Sequence, residues 1–81
     1  MSPASALALL RPLADRGDPE AQKDLGLIFD NGDGVPRDGA QAVLWYRKAA
    51  GQDNVEAQGK LGLIYFGGLD GVLETLNKAL P

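Results

Sequence analysis

Two ten-residue stretches decide the fold: residues 20–29 read EAQKDLGLIF, and residues 56–65 read EAQGKLGLIY. Seven of the ten positions are identical, and Phe29 and Tyr65 form a conservative eighth. Each residue of the first stretch lies 36 positions before its equivalent in the second. Self-similarity at a fixed period of this length predicts a protein built from stacked helical units.

The stretch between these two copies predicts a second helix in each unit. Its apolar residues fall at positions i, i+3, i+4, i+7 and i+8, which form one face of an amphipathic helix. They are Ala42, Trp45, Tyr46, Ala49 and Ala50, and the residues 36 positions earlier are also apolar: Ala6, Leu9, Leu10, Leu13 and Ala14. We name the two helices of a unit A and B. The chain then runs B, A, B, A and the beginning of a further B.

Helix-end residues support this order. Ser2, Asp18, Asp38 and Asn54 are residues that cap helix N-termini. The glycine-rich stretches 31–36 and 67–72 predict turns after the two A helices. Pro12 is the exception, because inside a helix it removes a hydrogen bond or kinks the axis. We predict helices at 3–16, 19–30, 38–50, 55–66 and 74–80, with neighbours antiparallel because the connections are short.

The combined pattern resembles the Sel-one-like repeat, a relative of the tetratricopeptide repeats. The residues that carry the resemblance are Ala21, Gln22, Leu25, Gly26, Phe29, Gly32, Gly34, Val35, Ala42, Trp45, Tyr46, Lys48, Ala49 and Ala50, and then Ala57, Gln58, Leu61, Gly62, Tyr65, Gly68, Gly71 and Val72. The resemblance implies an all-α solenoid, a right-handed superhelix of antiparallel helix pairs about two repeats long. It also implies an adaptor scaffold for protein complexes, of a kind common in bacterial envelope and signalling systems.

We interpret the whole chain, 1–81, as one repeat domain. Residues 1–18 are helix B of an incomplete first unit, 19–54 are a complete repeat, and 55–81 are a second repeat that ends before any equivalent of Trp45. Gly26 and Gly62 lie inside predicted helices, where glycine costs about 1 kcal/mol relative to alanine. This cost predicts close approach of a neighbouring helix backbone, with Trp45 and Tyr46 filling the space between helix pairs.

Composition excludes several classes of function. The chain has no cysteine and no histidine, which removes disulfides, thiolate nucleophiles, the usual zinc sites and histidine acid–base chemistry. A net charge of −3 argues against nucleic acid or an anionic membrane as the main partner. We therefore expect no catalytic residues, no metal and no cofactor. Localisation stays open: cytoplasmic for a complete chain, periplasmic if an export signal has been removed.

Two short motifs have simpler structural explanations. Residues 30–34 read DNGDG, which resembles a calcium loop, but the twelfth position from Asp30 is Gln41 where an EF-hand needs glutamate. Residues 16–18 read RGD, but they fall at the predicted turn where Gly17 ends one helix and Asp18 caps the next. We interpret both as turns.

The resemblance also implies a binding surface, because the A helices of related repeats line the concave side. Aligned on Gly26, the stripe comprises Lys23, Leu27, Asp30 and Asn31, with the equivalents Gly59, Leu63, Phe66 and Gly67. An apolar groove of Leu27, Leu63 and Phe66 flanked by charge suits a peptide, although the same residues could pack against neighbouring elements instead. The leading prediction is therefore a non-catalytic protein-binding module. The alternative is self-association through the open repeat ends, as a swapped dimer or a head-to-tail assembly.

Overall fold

The computed structural model describes residues 3–66, and this part of the chain is all helical. Helix α1 spans Pro3–Asp15, α2 spans Pro19–Asn31 and α3 spans Gly39–Ala50. A fourth helix, α4, occupies 55–66, and no strand occurs between residues 3 and 66. The predicted fold class is confirmed: an all-α solenoid of helix pairs about two repeats long.

The helices begin at the predicted capping residues. The Asp18 carboxylate accepts hydrogen bonds from the backbone N–H groups of Glu20 and Ala21, which α2 leaves unpaired. Asp38 accepts from the N–H of Gln41 at the start of α3, and the side chain of Asn54 caps α4 in the same way. At the other end of α2, Gly32 adopts φ 72°, the left-handed conformation that ends many helices and that glycine adopts without strain.

Hydrogen bonds at both ends of the α2–α3 pair establish that these helices are antiparallel. The N–H of Asp38, just before α3, donates to the carbonyl of Phe29 near the end of α2. The Gln52 side chain, just after α3, donates to the side chain of Gln22 near the start of α2. The end of each helix therefore lies beside the start of the other, as the short connections predict.

Two hydrophobic clusters hold the helices together. The first comprises Ala14, Ala21, Leu25, Ile28 and Trp45, and joins α1, α2 and α3. The second comprises Ala42, Tyr46, Ala49, Ala57 and Leu61, and joins α3 to α4. Trp45 and Tyr46 are adjacent in sequence, yet each belongs to a different cluster. Helix α3 therefore contributes to both cores, as the middle helix of a stack should.

The predicted helices agree with the structure to within one residue at each end that the structure describes. Asp38 lies just outside α3 because it is the cap. Helix α1 continues through Pro12 to Asp15. The predicted cap Ser2 and the predicted helix 74–80 lie outside the described residues.

The apolar face of α1 is only partly buried. Of the residues that the repeat pattern places on this face, Leu9 and Leu13 are exposed. Ala14 is buried, and Leu10 packs against the first cluster from a half-buried position. The pattern identifies residues that match a buried face, but burial also requires a neighbouring helix on that side.

Candidate protein-binding surface

The contact of Tyr46 with Gly26 shows how an A helix of this repeat receives its B helix. A methyl group added at Gly26 would lie within 2.5 Å of the Cδ1 and Cε1 atoms of Tyr46. The aromatic ring therefore rests directly on the backbone of α2, and no other residue leaves room for it. The prediction that a helix backbone approaches Gly26 is wrong, because a side chain occupies the space.

The hydroxyl of Tyr46 fixes the ring along α2. It donates a hydrogen bond of 3.2 Å to the carboxylate of Asp30, one helical turn beyond Gly26. Burial raises the pKa of the Tyr46 hydroxyl well above its ordinary value of 10.0, and the nearby negative charge of Asp30 adds to this shift. The Asp30 carboxylate is thus already engaged inside the protein.

The ring of Trp45 lies between two cations. The guanidinium carbon of Arg11 is 5.1 Å from the ring centroid, and the Lys48 ammonium is 4.8 Å from it. Both distances are within the range of cation–π attraction. Trp45 is only 2% exposed, and its indole N–H has no hydrogen-bond partner among the described residues. The residue is therefore an anchor of α3 against α1 and α2.

Lys23 joins the two A helices. Its side chain is buried, and its ammonium lies 2.8 Å from Asp24, 3.2 Å from Glu20 and 3.3 Å from Glu56. Glu20 and Glu56 are equivalent residues of the two repeats, so Lys23 bridges α2 and α4. Its hydrogen bond to Asp24 is the main cause that raises the pKa of Lys23 above its ordinary value of 10.5, against the opposing effect of burial. This charge is neutralised within the protein.

Helix α4 carries an apolar face that the other described residues leave uncovered, which we call the α4 face: Val55, Gly62, Leu63 and Phe66. These positions lie within about 100° of one another around the helix. Leu63 is 70% exposed, Phe66 is 62% exposed and Val55 is more exposed still. A methyl group added at Gly62 would meet nothing within 4 Å among the described residues. This is the side of α4 that corresponds to the surface of α2 under Tyr46.

The structure divides the six predicted groove residues between two environments. Lys23 is buried in its ion pairs, Asp30 accepts from Tyr46, and Leu27 is half-buried against the second cluster. Asn31, Leu63 and Phe66 are exposed. The ion pair between Lys23 and Glu56 places α2 beside α4. The freely accessible residues of the predicted groove are therefore polar Asn31 on α2 and the two apolar side chains on α4.

Sequence reasoning missed Val55 on this surface. Val55 lies one turn before Gly59 on the predicted stripe, and its position could have been read from the same spacing. On α1, outside this surface, Leu9 and Leu13 match the buried residues Trp45 and Ala49 in the repeat pattern but are exposed.

The described part of the chain contains no group of acidic residues arranged to hold a metal ion, and no enclosed pocket was found. Within residues 3–66, no helix is long and apolar enough to cross a membrane.

Helix pairs that share two cores and leave one face of α4 uncovered define a protein of the α-solenoid class. The Sel1 repeat family model matches residues 19–54 and 55–80. The chain belongs to the Sel1 repeat family, whose members are helical repeat scaffolds that generally bind other proteins. No solved structure matches it.

Proposed function

We propose that this chain is a non-catalytic protein-interaction module that holds a partner protein or peptide on the surface formed by α2 and α4. The observation that carries the proposal is the exposure of Leu63 and Phe66 beside half-buried Leu27. Large apolar side chains that are exposed together on one helix mark an interaction surface. The candidate contact residues are Lys23, Leu27, Asp30, Asn31, Leu63 and Phe66.

The charges of this surface indicate what kind of partner it takes. Lys23 and Asp30 are engaged within the protein, so they add little attraction for a charged partner. The accessible contacts are apolar, which favours a partner segment with its own apolar side chains, such as one face of an amphipathic helix. We expect binding that changes little between low and high salt, because screening weakens charge contacts far more than apolar ones.

Photocrosslinking tests the proposal in cells of the source organism. We place p-benzoylphenylalanine at position 63, on the α4 face, and at position 44 as a matched control, since Leu44 is also an exposed leucine on a helix. We expect a defined adduct with another protein from position 63 only. Added unlabelled chain should compete for it, and a chain carrying Leu63→Glu and Phe66→Glu should not. The same adducts from both positions would overturn the proposal.

A further inference from the structure

We propose that the α4 face receives helix α1 of a second copy of this chain, so that copies join head to tail. The inference goes beyond the proposed function, because it names a second occupant, another copy of this chain, for part of the same surface. It predicts a contact that repeats the α2–α3 packing inside the chain, between an A helix of one copy and a B helix of the next.

Because of the order of the described helices, α1 and α4 have surfaces that can pack against each other. The chain runs B, A, B, A from α1 to α4, so α4 is an A helix and α1 is a B helix. Helix α2 receives α3 through Gly26, which is buried under Tyr46, whereas the equivalent Gly62 is exposed. A B helix placed on α4 in the same geometry would continue the stack without a break.

Helix α1 presents the side chains that this position requires. Leu9 corresponds to Trp45 and is 60% exposed, whereas Trp45 is 2% exposed. Leu13 is also exposed, on the same side of α1 as Leu9. A second copy's α4 would cover Leu9 as α2 covers its counterpart Trp45. Burial of exposed leucine surface is the main source of free energy for such a contact.

The α2–α3 contact inside the chain and the proposed α4–α1 contact between copies differ at one pair of equivalent positions. Inside the chain, the Tyr46 hydroxyl needs an acceptor and finds it in Asp30. On α4, the residue equivalent to Asp30 is Phe66, which cannot accept a hydrogen bond. On α1, the residue equivalent to Tyr46 is Leu10, which has no hydroxyl to satisfy. A polar pair in the first contact is therefore replaced by an apolar pair in the second, which favours α1 as the occupant.

The test uses two variants of the full chain, each blocked at one end. One carries Leu9→Glu and Leu13→Glu on α1, and the other carries Leu63→Glu and Phe66→Glu on α4. All four side chains are exposed, so the substitutions leave both cores intact. Leu44→Glu on α3 is the matched control. Far-UV circular dichroism and the urea midpoint verify folding, and the corresponding glutamine variants replace any pair that unfolds.

Sedimentation velocity over a concentration series gives the readout. We expect the unchanged chain and Leu44→Glu to associate as concentration rises, and each blocked variant alone to stay at the 8.5 kDa monomer mass. An equimolar mixture of the two blocked variants should form a species of twice that mass and nothing larger, because one compatible pair of ends remains.

Three results would overturn the inference. The unchanged chain could remain monomeric at every concentration, as it would if its own residues 67–81 occupied the α4 face. Either blocked variant could still dimerise alone, or the mixture could stay monomeric. The proposed function fails separately, because it requires an adduct with a different protein at position 63, and Leu9→Glu with Leu13→Glu should not remove that adduct.

Discussion

The inner helices α2 and α3 and the outer helices α1 and α4 are built from the same repeat pattern, yet their equivalent residues have different environments. Trp45 is buried between two cations, whereas Leu9 is exposed. Gly26 lies under an aromatic ring, whereas Gly62 is open. The pattern thus specifies which face of each helix can be buried, and the neighbouring helix decides whether it is.

This difference is one between helices covered on two sides and helices covered on one. The apolar side chains of the inner pair pack into two cores, and Lys23 of this pair forms an ion pair with Glu56. The outer helices bury one side in those cores and leave the other side to solvent. We expect substitutions in the inner pair to affect folding and equivalent substitutions in the outer helices to affect association.

The largest expected effect is the difference in free energy of unfolding between Trp45→Ala and Leu9→Ala. Trp45→Ala removes a fully packed ring from the first cluster and should lower the free energy of unfolding by about 3–5 kcal/mol. Leu9→Ala removes an exposed side chain and should change it by less than about 0.5 kcal/mol at a concentration where the chain is monomeric. Urea unfolding followed by far-UV circular dichroism measures both variants without relying on tryptophan fluorescence. Similar losses of stability in Trp45→Ala and Leu9→Ala would contradict the distinction between the inner and outer helices.

A smaller effect is expected from Gly26→Ala. The added methyl group would overlap the buried ring of Tyr46, which has no free space to enter because the second cluster surrounds it. Overpacking of this kind costs about 1–3 kcal/mol. The double variant Gly26→Ala with Tyr46→Ala identifies the cause, since the cost of the methyl group should disappear once the ring is gone. A cost that persists in that background would point to another source.

The next effect in size is a loss of stability at alkaline pH, through Lys23 on α2 and Tyr46 on α3. The pKa values of Lys23 and Tyr46 are both raised by folding, so both groups hold their protons more tightly in the folded chain. Their contributions are complete below the unfolded values, near 10, and are lost as pH rises towards the folded values. Each group should lower the free energy of unfolding by up to ~1.4 kcal/mol per pH unit in that window.

Tyr46→Phe provides the control for the pH series. It removes one of the two titrating groups and keeps the ring over Gly26. The free energy of unfolding should therefore fall less steeply with pH above pH 10. Urea unfolding at pH 8, 10 and 11 compares the variant with the unchanged chain. An unchanged slope in Tyr46→Phe would mean that Tyr46 does not titrate in the way its burial indicates.

Much of the fold could be predicted because it depends on local signals. The caps Asp18, Asp38 and Asn54 and the glycine turns each act over a few residues, and the 36-residue period shows which local patterns are equivalent. Together they predicted the bounds of the four described helices to within one residue.

The environment of the candidate surface could not be predicted, because it depends on contacts between distant residues. Lys23 and Glu56 are 33 positions apart, and nothing in the sequence pairs them before the helices are packed. The same applies to Tyr46 and Asp30. The two predicted charged flanks of the groove, Lys23 and Asp30, are therefore engaged in contacts inside the protein. The exposure of Leu9 and Leu13 follows from what surrounds α1 and not from α1 itself.

Gly62→Ala has the smallest expected effect and tests the central claim most directly, which is that the equivalent glycines of the two A helices, Gly26 and Gly62, differ in what covers them. Alanine is the better helix former and meets no described atom at this position, so the variant should gain about 0.5–1 kcal/mol in free energy of unfolding. Measured beside Gly26→Ala at a concentration where the chain is monomeric, the two substitutions should have opposite signs. A loss of stability at Gly62 similar to that at Gly26 would contradict the account.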